Sequence, residues 1–306
     1  MPAHEPVVWL TFISLVGTLL VIDLGVLNRR SHVLTPAEAL RWSGGVVVIS
    51  LLFGGFLWWQ ASEATALEYY AGYLIELSLS VDNLFVFLLV FQYFAVPAEL
   101  QPRVLKWGIF GAILMRGVMI GLGAVLLQRF EWITWVFGGI LILTAVKMAR
   151  SGEERIEPEK NPLVRLARRL LPVTPAYENS HFFVRSLTQG WMATPLFLVL
   201  LVVEWSDVVF AVDSIPAVFA VTRDPFVVYA SNLFAILGLR ALFFVLAGAL
   251  DRFHYLKPGV ALILLFVGAK MLLGHWVHLP TLLSLGIIIM ILSGTIGLSL
   301  LKPAKH

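Results

Sequence analysis

Four carboxylates stand in two matched pairs inside otherwise apolar runs. Glu76-Leu-Ser-Leu-Ser-Val-Asp82-Asn83 lies in one run and Asp207-Val-Val-Phe-Ala-Val-Asp213-Ser214 in another, and each pair is six residues apart. An ionised acid at the centre of a bilayer costs roughly 2.5–3.5 kcal/mol on insertion scales, so acids in such runs usually face a polar pathway. With Asn83 and Ser214 beside them, they offer carboxylate, amide and hydroxyl oxygens, a hard donor set that suits Mg²⁺, Ca²⁺ or Mn²⁺ better than a soft metal. The 306 residues contain no cysteine, which removes thiolate ligands, disulfides and thiol nucleophiles. Asp82 and Asp213 are the expected central ligands, with Glu76 and Asp207 completing or gating the site. Glu204, three residues before Asp207 and on the same helix face, is a further candidate ligand.

The elements that must position these acids follow from composition. Residues are 59% hydrophobic and 13% charged, where soluble domains carry about 25% charge, so the chain belongs to the membrane class. Ten Trp suit aromatic belts at headgroup level. A net charge of +3 without a contiguous basic patch gives no support to nucleic-acid binding. Apolar runs at 7–27, 43–60, 67–94, 105–127, 132–149, 194–221, 226–249, 258–274 and 280–301 predict an all-α membrane protein of about nine transmembrane helices. The first run ends at Asn28-Arg29-Arg30 with no small-residue cleavage signal, as a retained span would. Basic residues crowd alternate loops: Arg29, Arg30 and Arg41, then Arg103 and Lys106, then the 150–190 segment, then Arg252 and Lys257, and finally Lys302 and Lys305. The intervening loops hold only Arg129 and Arg223. The positive-inside rule therefore predicts a multi-pass protein with its N-terminus outside and its C-terminus in the cytoplasm.

A repeat organises the middle of the chain. After the first acid pair come Arg116 and then Lys147-Met148; after the second come Arg240 and then Lys270-Met271. Each copy holds three predicted helices, so the second copy is inverted in the membrane, with a site expected near the midplane where the copies meet. Domains are expected at 1–65 (two N-terminal helices), 66–149 (repeat one), 150–192 (cytoplasmic basic linker), 193–275 (repeat two) and 276–306 (last helix and tail). Six residues of regular helix separate two side chains by about 120°. Unwinding within the two acidic helices, with Pro216 as the breaker in the second, would let each pair meet one ion. Within the linker, Glu153–Pro162 reads as solvated, and Leu163, Leu166 and Leu170 among Arg165, Arg168 and Arg169 predict a short amphipathic helix on the cytoplasmic leaflet.

Arg116 and Arg240 are the expected gating or charge-compensating groups. A purely structural alternative has them pin helices through ion pairs with the acids. Six intramembrane carboxylates, counting Asp23 and Glu204, outnumber two arginines, which favours a cation-binding role. Desolvated carboxylates also hold protons more tightly, so exchange of a cation for protons follows as an expectation. His275 and His278, outside the repeat, are expected at the interface, and Asp23 near the end of the first helix as a cap or pathway residue.

The segment from Glu204 through Asp213-Ser-Ile-Pro216-Ala to Thr222, followed by Asp224-Pro225 and Ser231-Asn232 through Arg240-Ala241, resembles the TerC/Alx family of bacterial membrane proteins, as does Glu76 to Asn83. The resemblance runs from the first helix to Met271. It implies a multi-pass protein, linked by family name to tellurium resistance and through better-understood members to manganese efflux. It also implies that Glu76, Asp82, Asp207 and Asp213 bind Mn²⁺ as substrate, with no permanently bound cofactor. The expected partners are membrane lipid and a divalent cation, with no enzymatic activity. A scaffold assisting a secretion or metal-stress complex is the competing expectation. An intramembrane aspartyl protease is disfavoured because neither Asp82 nor Asp213 sits in a Tyr-Asp or Gly-x-Gly-Asp setting.

Overall fold

A computed structural model of the chain describes residues 6–23, 36–130, 132–150, 161–186, 190–246, 256–273 and 279–301. Arg29, Arg30, the 151–160 part of the expected linker, Arg252, His275, His278 and the 302–306 tail lie outside the described residues. The Asp82 and Arg240 side chains do so too.

The described chain is mostly helical: α1 Pro6–Val21, α2 Pro36–Gln60, α3 Glu63–Tyr93, α4 Gln101–Arg129, α5 Ile133–Arg150, α6 Pro162–Leu170, α7 Pro195–Phe219, α8 Pro225–Leu246, α9 Leu256–Leu273 and α10 Thr281–Leu301. Among the described residues, five stretches are long and apolar enough to cross a membrane: Ala37–Gln60, Gln101–Arg129, Ile133–Arg150, Pro195–Phe219 and Thr281–Ser299. Shorter apolar helices cover Pro6–Val21, Pro225–Leu239 and Pro258–Leu273.

Local chemistry sets the ends. Ser62, extended at φ −165°, caps α3 by accepting from Thr65 N at 3.1 Å. Proline opens α2, α6, α7 and α8, where its missing N–H would find no intrahelical partner anyway. Asp224 Oδ1 accepts from Phe226 N at 2.9 Å and closes the start of α8. Past α3, Ala95 adopts φ +48° and turns the chain toward α4.

Both acidic helices are continuous, which corrects the expected unwinding. α3 runs unbroken for 31 residues and α7 for 25. Ser78 and Ser206 fold their hydroxyls back onto the Leu74 and Val202 carbonyls, at 2.5 and 2.8 Å, instead of opening the backbone. Pro216 falls in the last turn, where its carbonyl still accepts from Ala220 N at 3.0 Å. A proline there removes one bond near a helix end and breaks nothing.

The polar segment holds the expected short helix, α6, and a two-stranded ribbon that the sequence reading did not expect. Asn161 Oδ1 caps α6 from Leu163 N at 2.9 Å, and Val164 and Ala167 are buried toward α7. Strands β1 (Phe183–Ser186) and β2 (Gly190–Ala193) pair antiparallel, Phe183 opposite Ala193. This small ribbon departs from an all-α reading.

Three apolar clusters fill the interior among the described residues. One joins the C-terminal half of α3 to α4, α6, α8 and the start of α7. A second joins the N-terminal half of α3 to α5, α7, α9 and α10. The third packs α1, α2 and the start of α8 around Phe12, Phe53, Tyr69 and Phe234. The acids lie where the first two clusters meet. There α3 and α7 cross, and α5 packs antiparallel on α9 so closely that a Cβ at Gly268 would sit 3.1 Å from the Gly138 carbonyl oxygen.

Candidate metal centre

α3 and α7 run antiparallel in a register fixed by two contacts. A Cβ on Gly72 would lie 3.0 Å from Val218 Cγ1, and the Thr222 hydroxyl donates to Glu68 Oε2 at 2.5 Å. Carried along both helices, that register sets Glu76 level with Ser214 and Asp82 level with Val208. Each second acid, six residues on, therefore moves toward the opposite end of the bundle. The Asp82 and Asp213 backbones stand about 7–8 Å apart along the axis.

One guanidinium ties the layers together. Arg116 of α4 is fully buried and binds carboxylates from two helices. Its Nη1 donates to Glu76 Oε1, its Nη2 to Asp207 Oδ1 at 3.0 Å and its Nε to Asp207 Oδ2 at 3.3 Å. The grip on Asp207 is bidentate, the strongest form of this pairing. Gly108, Ala112, Leu84 and Asp207 line a small, mostly apolar cavity of about 30 Å³ beside it.

Several polar atoms of α3, α7 and α8 are not satisfied. Glu76 Oε2, Ser80 Oγ, Asn83 Nδ2, Ser214 Oγ and Asn232 Nδ2 are buried without hydrogen-bond partners. Buried polar atoms without partners are uncommon in folded proteins. Asp213 lies apart from the triad, accepting from the Thr144 hydroxyl of α5 at 2.7 Å. Glu204 is half-buried, with its carboxylate packed against Gly111, where any Cβ would collide with it. Asp23 is buried at the end of α1.

The structure thus gathers Glu76, Asp207 and Arg116, binds Asp213 to Thr144, and leaves Glu204 packed against Gly111. Asn83 and Ser214 contribute buried atoms to the same region. Among the described residues, no three His, Asp or Glu side chains converge as a ready-made ligand set. Several groups escaped the sequence reading: Glu68 with Thr222, Thr144 on Asp213, and Asn232. Glu68 sits at the margin of its apolar run, and Asn232 lies inside the stretch that carries the family resemblance, so weak signals for both were present.

Comparison with known proteins gives consistent matches. Residues 61–306 match the family described as "Integral membrane protein TerC family". A Myxococcus xanthus protein named "Uncharacterized membrane protein STKORF319" is 48% identical over 302 residues, covering 99% of this chain and 94% of that protein. "Putative membrane-bound redox modulator Alx" of Escherichia coli K12 is 49% identical over 311 residues, covering 98% and 96%. A Rickettsia bellii "Uncharacterized membrane protein" is 41% identical over 284 residues, covering 93% and 94%. No solved structure matches the chain.

Proposed function

The chain belongs to the TerC family of integral membrane proteins, and from that premise we propose that it is a secondary transporter exporting a divalent metal cation, Mn²⁺ foremost, from the cytoplasm. In this reading nine helices cross the inner membrane, α3–α5 and α7–α9 form inverted repeats, and the N-terminus lies outside. The protein is not an enzyme and keeps no permanent cofactor. The cation passes through the region bounded by Glu76, Asp82, Asp207 and Asp213, with Asn83, Ser214 and Glu204 assisting. Arg116, and Arg240 by its matched place, compensate charge.

One observation carries this reading: a single buried guanidinium serves two buried carboxylates, and the second oxygen of Glu76 has no partner. If both acids are ionised, the triad holds one net negative charge away from water, a costly arrangement for stability alone. A cation relieves it. The Ser80 and Ser214 hydroxyl oxygens, also buried without partners, are oxygen donors of the kind that complete a hard metal's shell, directly or through water. The Alx relatives carry a redox description, but a chain without cysteine has no thiol–disulfide chemistry to offer.

Flux into proteoliposomes tests the proposal. Wild-type protein should carry Mn²⁺ well above empty vesicles, and Glu76→Gln and Asp213→Asn should cut flux by at least about tenfold, the loss of roughly 1.4 kcal/mol or more of ion stabilisation. Wild-type flux no faster than empty vesicles for Mn²⁺, Ca²⁺ and Mg²⁺ alike would overturn it. Exchange for protons falls separately if an imposed pH gradient leaves the Mn²⁺ rate unchanged.

A further inference from the structure

The polar segment between α5 and α7 is fastened to one end of the bundle. The Tyr177 hydroxyl donates to the Phe94 carbonyl just past α3 at 2.7 Å. Arg103 of α4 donates to Ser180 Oγ at 2.9 Å, and its guanidinium stands 5.4 Å from the centre of the Phe182 ring. Val173 bridges Ala193, and the Thr194 hydroxyl donates to the His181 carbonyl at 2.7 Å. α6 and the ribbon are thus held in fixed places where α7 begins.

Both elements keep apolar surface that the rest of the protein does not cover. A helix merely resting on a leaflet would give its one apolar side to lipid. α6 instead buries Val164 and Ala167 in the cluster that holds Leu196 and Val199 at the start of α7. It still presents Leu166 and Leu170, one turn apart, at 52% and 68% exposure. In the ribbon Trp191, 64% exposed, lies directly opposite Arg185, so the two share a face, and Phe183 alternates onto it. The Phe183 and Phe197 ring centres are 4.5 Å apart, which sets that face beside the first turn of α7.

Depth and charge together select what covers this surface. Trp191 stands four residues before Pro195, the first residue of a helix long and apolar enough to cross a membrane. Four residues reach at most about 14 Å, so the indole lies at or just outside headgroup level, where tryptophan collects. Arg168 and Arg169 close α6 and Arg185 faces Trp191, all three exposed. Among the described residues no acid pairs with them. Arginine in a last turn suits a helix C-terminus, but that accounts for none of the exposed leucine and tryptophan. An acidic protein would meet the charge but not the depth. An anionic lipid meets both, with phosphate for the guanidinium forks and acyl chain for the apolar side chains.

We propose that α6 and the β1–β2 ribbon form a binding surface for anionic phospholipid, with Arg168, Arg169 and Arg185 on headgroup phosphates and Leu166, Leu170 and Trp191 at the acyl boundary. The surface is separate from the triad and rests on the chain's place in a membrane, not on metal transport.

The test uses the full chain in neutral detergent, titrated with phosphatidylglycerol or phosphatidylcholine brominated on the acyl chains. Quenching of tryptophan fluorescence that is present in wild type and missing in Trp191→Phe reports lipid at this surface. Phosphatidylglycerol should bind at least about tenfold more tightly than phosphatidylcholine, since each surface arginine counts for roughly fivefold. Arg168→Gln combined with Arg169→Gln, read the same way, should weaken phosphatidylglycerol by about tenfold or more and leave phosphatidylcholine where it was. The corresponding Lys pair keeps the charge and should stay within about threefold of wild type. Leu170→Gln should weaken both lipids, and glycerol phosphate, the charge without the chains, should displace neither. Equal affinity of the two lipids for wild type, or a Gln pair that binds phosphatidylglycerol as tightly as wild type, overturns the proposal. Displacement by glycerol phosphate overturns it as well, in favour of a free-phosphate site. Quenching that Trp191→Phe leaves unchanged would set the indole in water and make an acidic protein the better occupant. Metal export stands or falls separately, on flux.

Discussion

Replacing Arg116 by Met removes the one cation inside the triad while keeping most of the side-chain volume. In the wild type that guanidinium makes two bonds to Asp207, at 3.0 and 3.3 Å, and one to Glu76, with none of it exposed. The variant leaves two carboxylates buried with no counter-charge in the triad. Breaking a buried pair by removing one partner costs about 3–5 kcal/mol, which for a chain of this size is a fall in melting temperature on the order of 10 °C. Thermal unfolding in detergent reads the loss directly. If the acids are built to meet a cation, Mn²⁺ should now replace the missing charge, and saturation at about 100 Kd would return about 2.7 kcal/mol. Mn²⁺ should therefore raise the melting temperature of Arg116→Met more than that of wild type. Adding Asp207→Asn should restore stability without metal and weaken the Mn²⁺ response. An Arg116→Met protein that melts within about 2 °C of wild type, less than about 1 kcal/mol, would refute the view that the triad is charged and enclosed.

Two further outcomes follow from the packing. Gly268→Ala should destabilise by about 1–3 kcal/mol, because its Cβ would stand 3.0 Å from Ile142 and Leu141 atoms and 3.1 Å from the Gly138 carbonyl, a backbone group that cannot swing aside; an unchanged melting temperature would count against the α5–α9 crossing. Tyr177→Phe removes a hydroxyl that donates to the Phe94 carbonyl at 2.7 Å and should cost about 1 kcal/mol at neutral pH. Burial pushes that phenol from 10.0 up to about 12. Its folded-state value is the higher one, so the contribution is complete below pH 10 and declines as pH rises through about 12. A wild-type advantage over Tyr177→Phe that is undiminished at pH 12 would contradict this.

The apolar runs were legible because membrane-length hydrophobicity needs no knowledge of partners. Their edges were not, since polar caps extend helices beyond the apolar stretch: α2 begins at Pro36 and α3 at Glu63 behind Ser62, several residues before the runs at 43 and 67. The expected unwinding failed for a reason the spacing of two acids on one helix could not show. Glu76 and Asp207 need not reach a common point themselves, because Arg116 spans the gap between them. Nor could spacing reveal which acid of each pair would take the guanidinium. That choice depends on the sliding register of α3 against α7, set by contacts such as Gly72 with Val218 and Ser231. The short ribbon was missed because four-residue strands with mixed side chains, such as Phe-Val-Arg-Ser, give too little alternation to separate from a loop.

Continuous helices restrict what can coordinate a cation here. With α3 and α7 unbroken through the acids, most of their carbonyls are engaged in the helix ladder, so the protein's donors must come mainly from side chains. Glu76, Asp207 and Asp213 are partly committed, to Arg116 and Thr144. A six-coordinate ion would therefore have to keep several waters. Mg²⁺ dehydrates reluctantly and demands near-ideal geometry at about 2.0–2.1 Å, whereas Ca²⁺ accepts irregular shells of 6–8 oxygens. If the ion travels partly hydrated, selectivity is set by how much water the cavity beside Asp207 admits. Narrowing that cavity with Ala112→Leu, whose present side chain is buried at its wall, should then lower flux of the more hydrated Mg²⁺ more than that of Mn²⁺. Equal loss for both ions in proteoliposomes would mean that the ion sheds its water before it reaches Arg116.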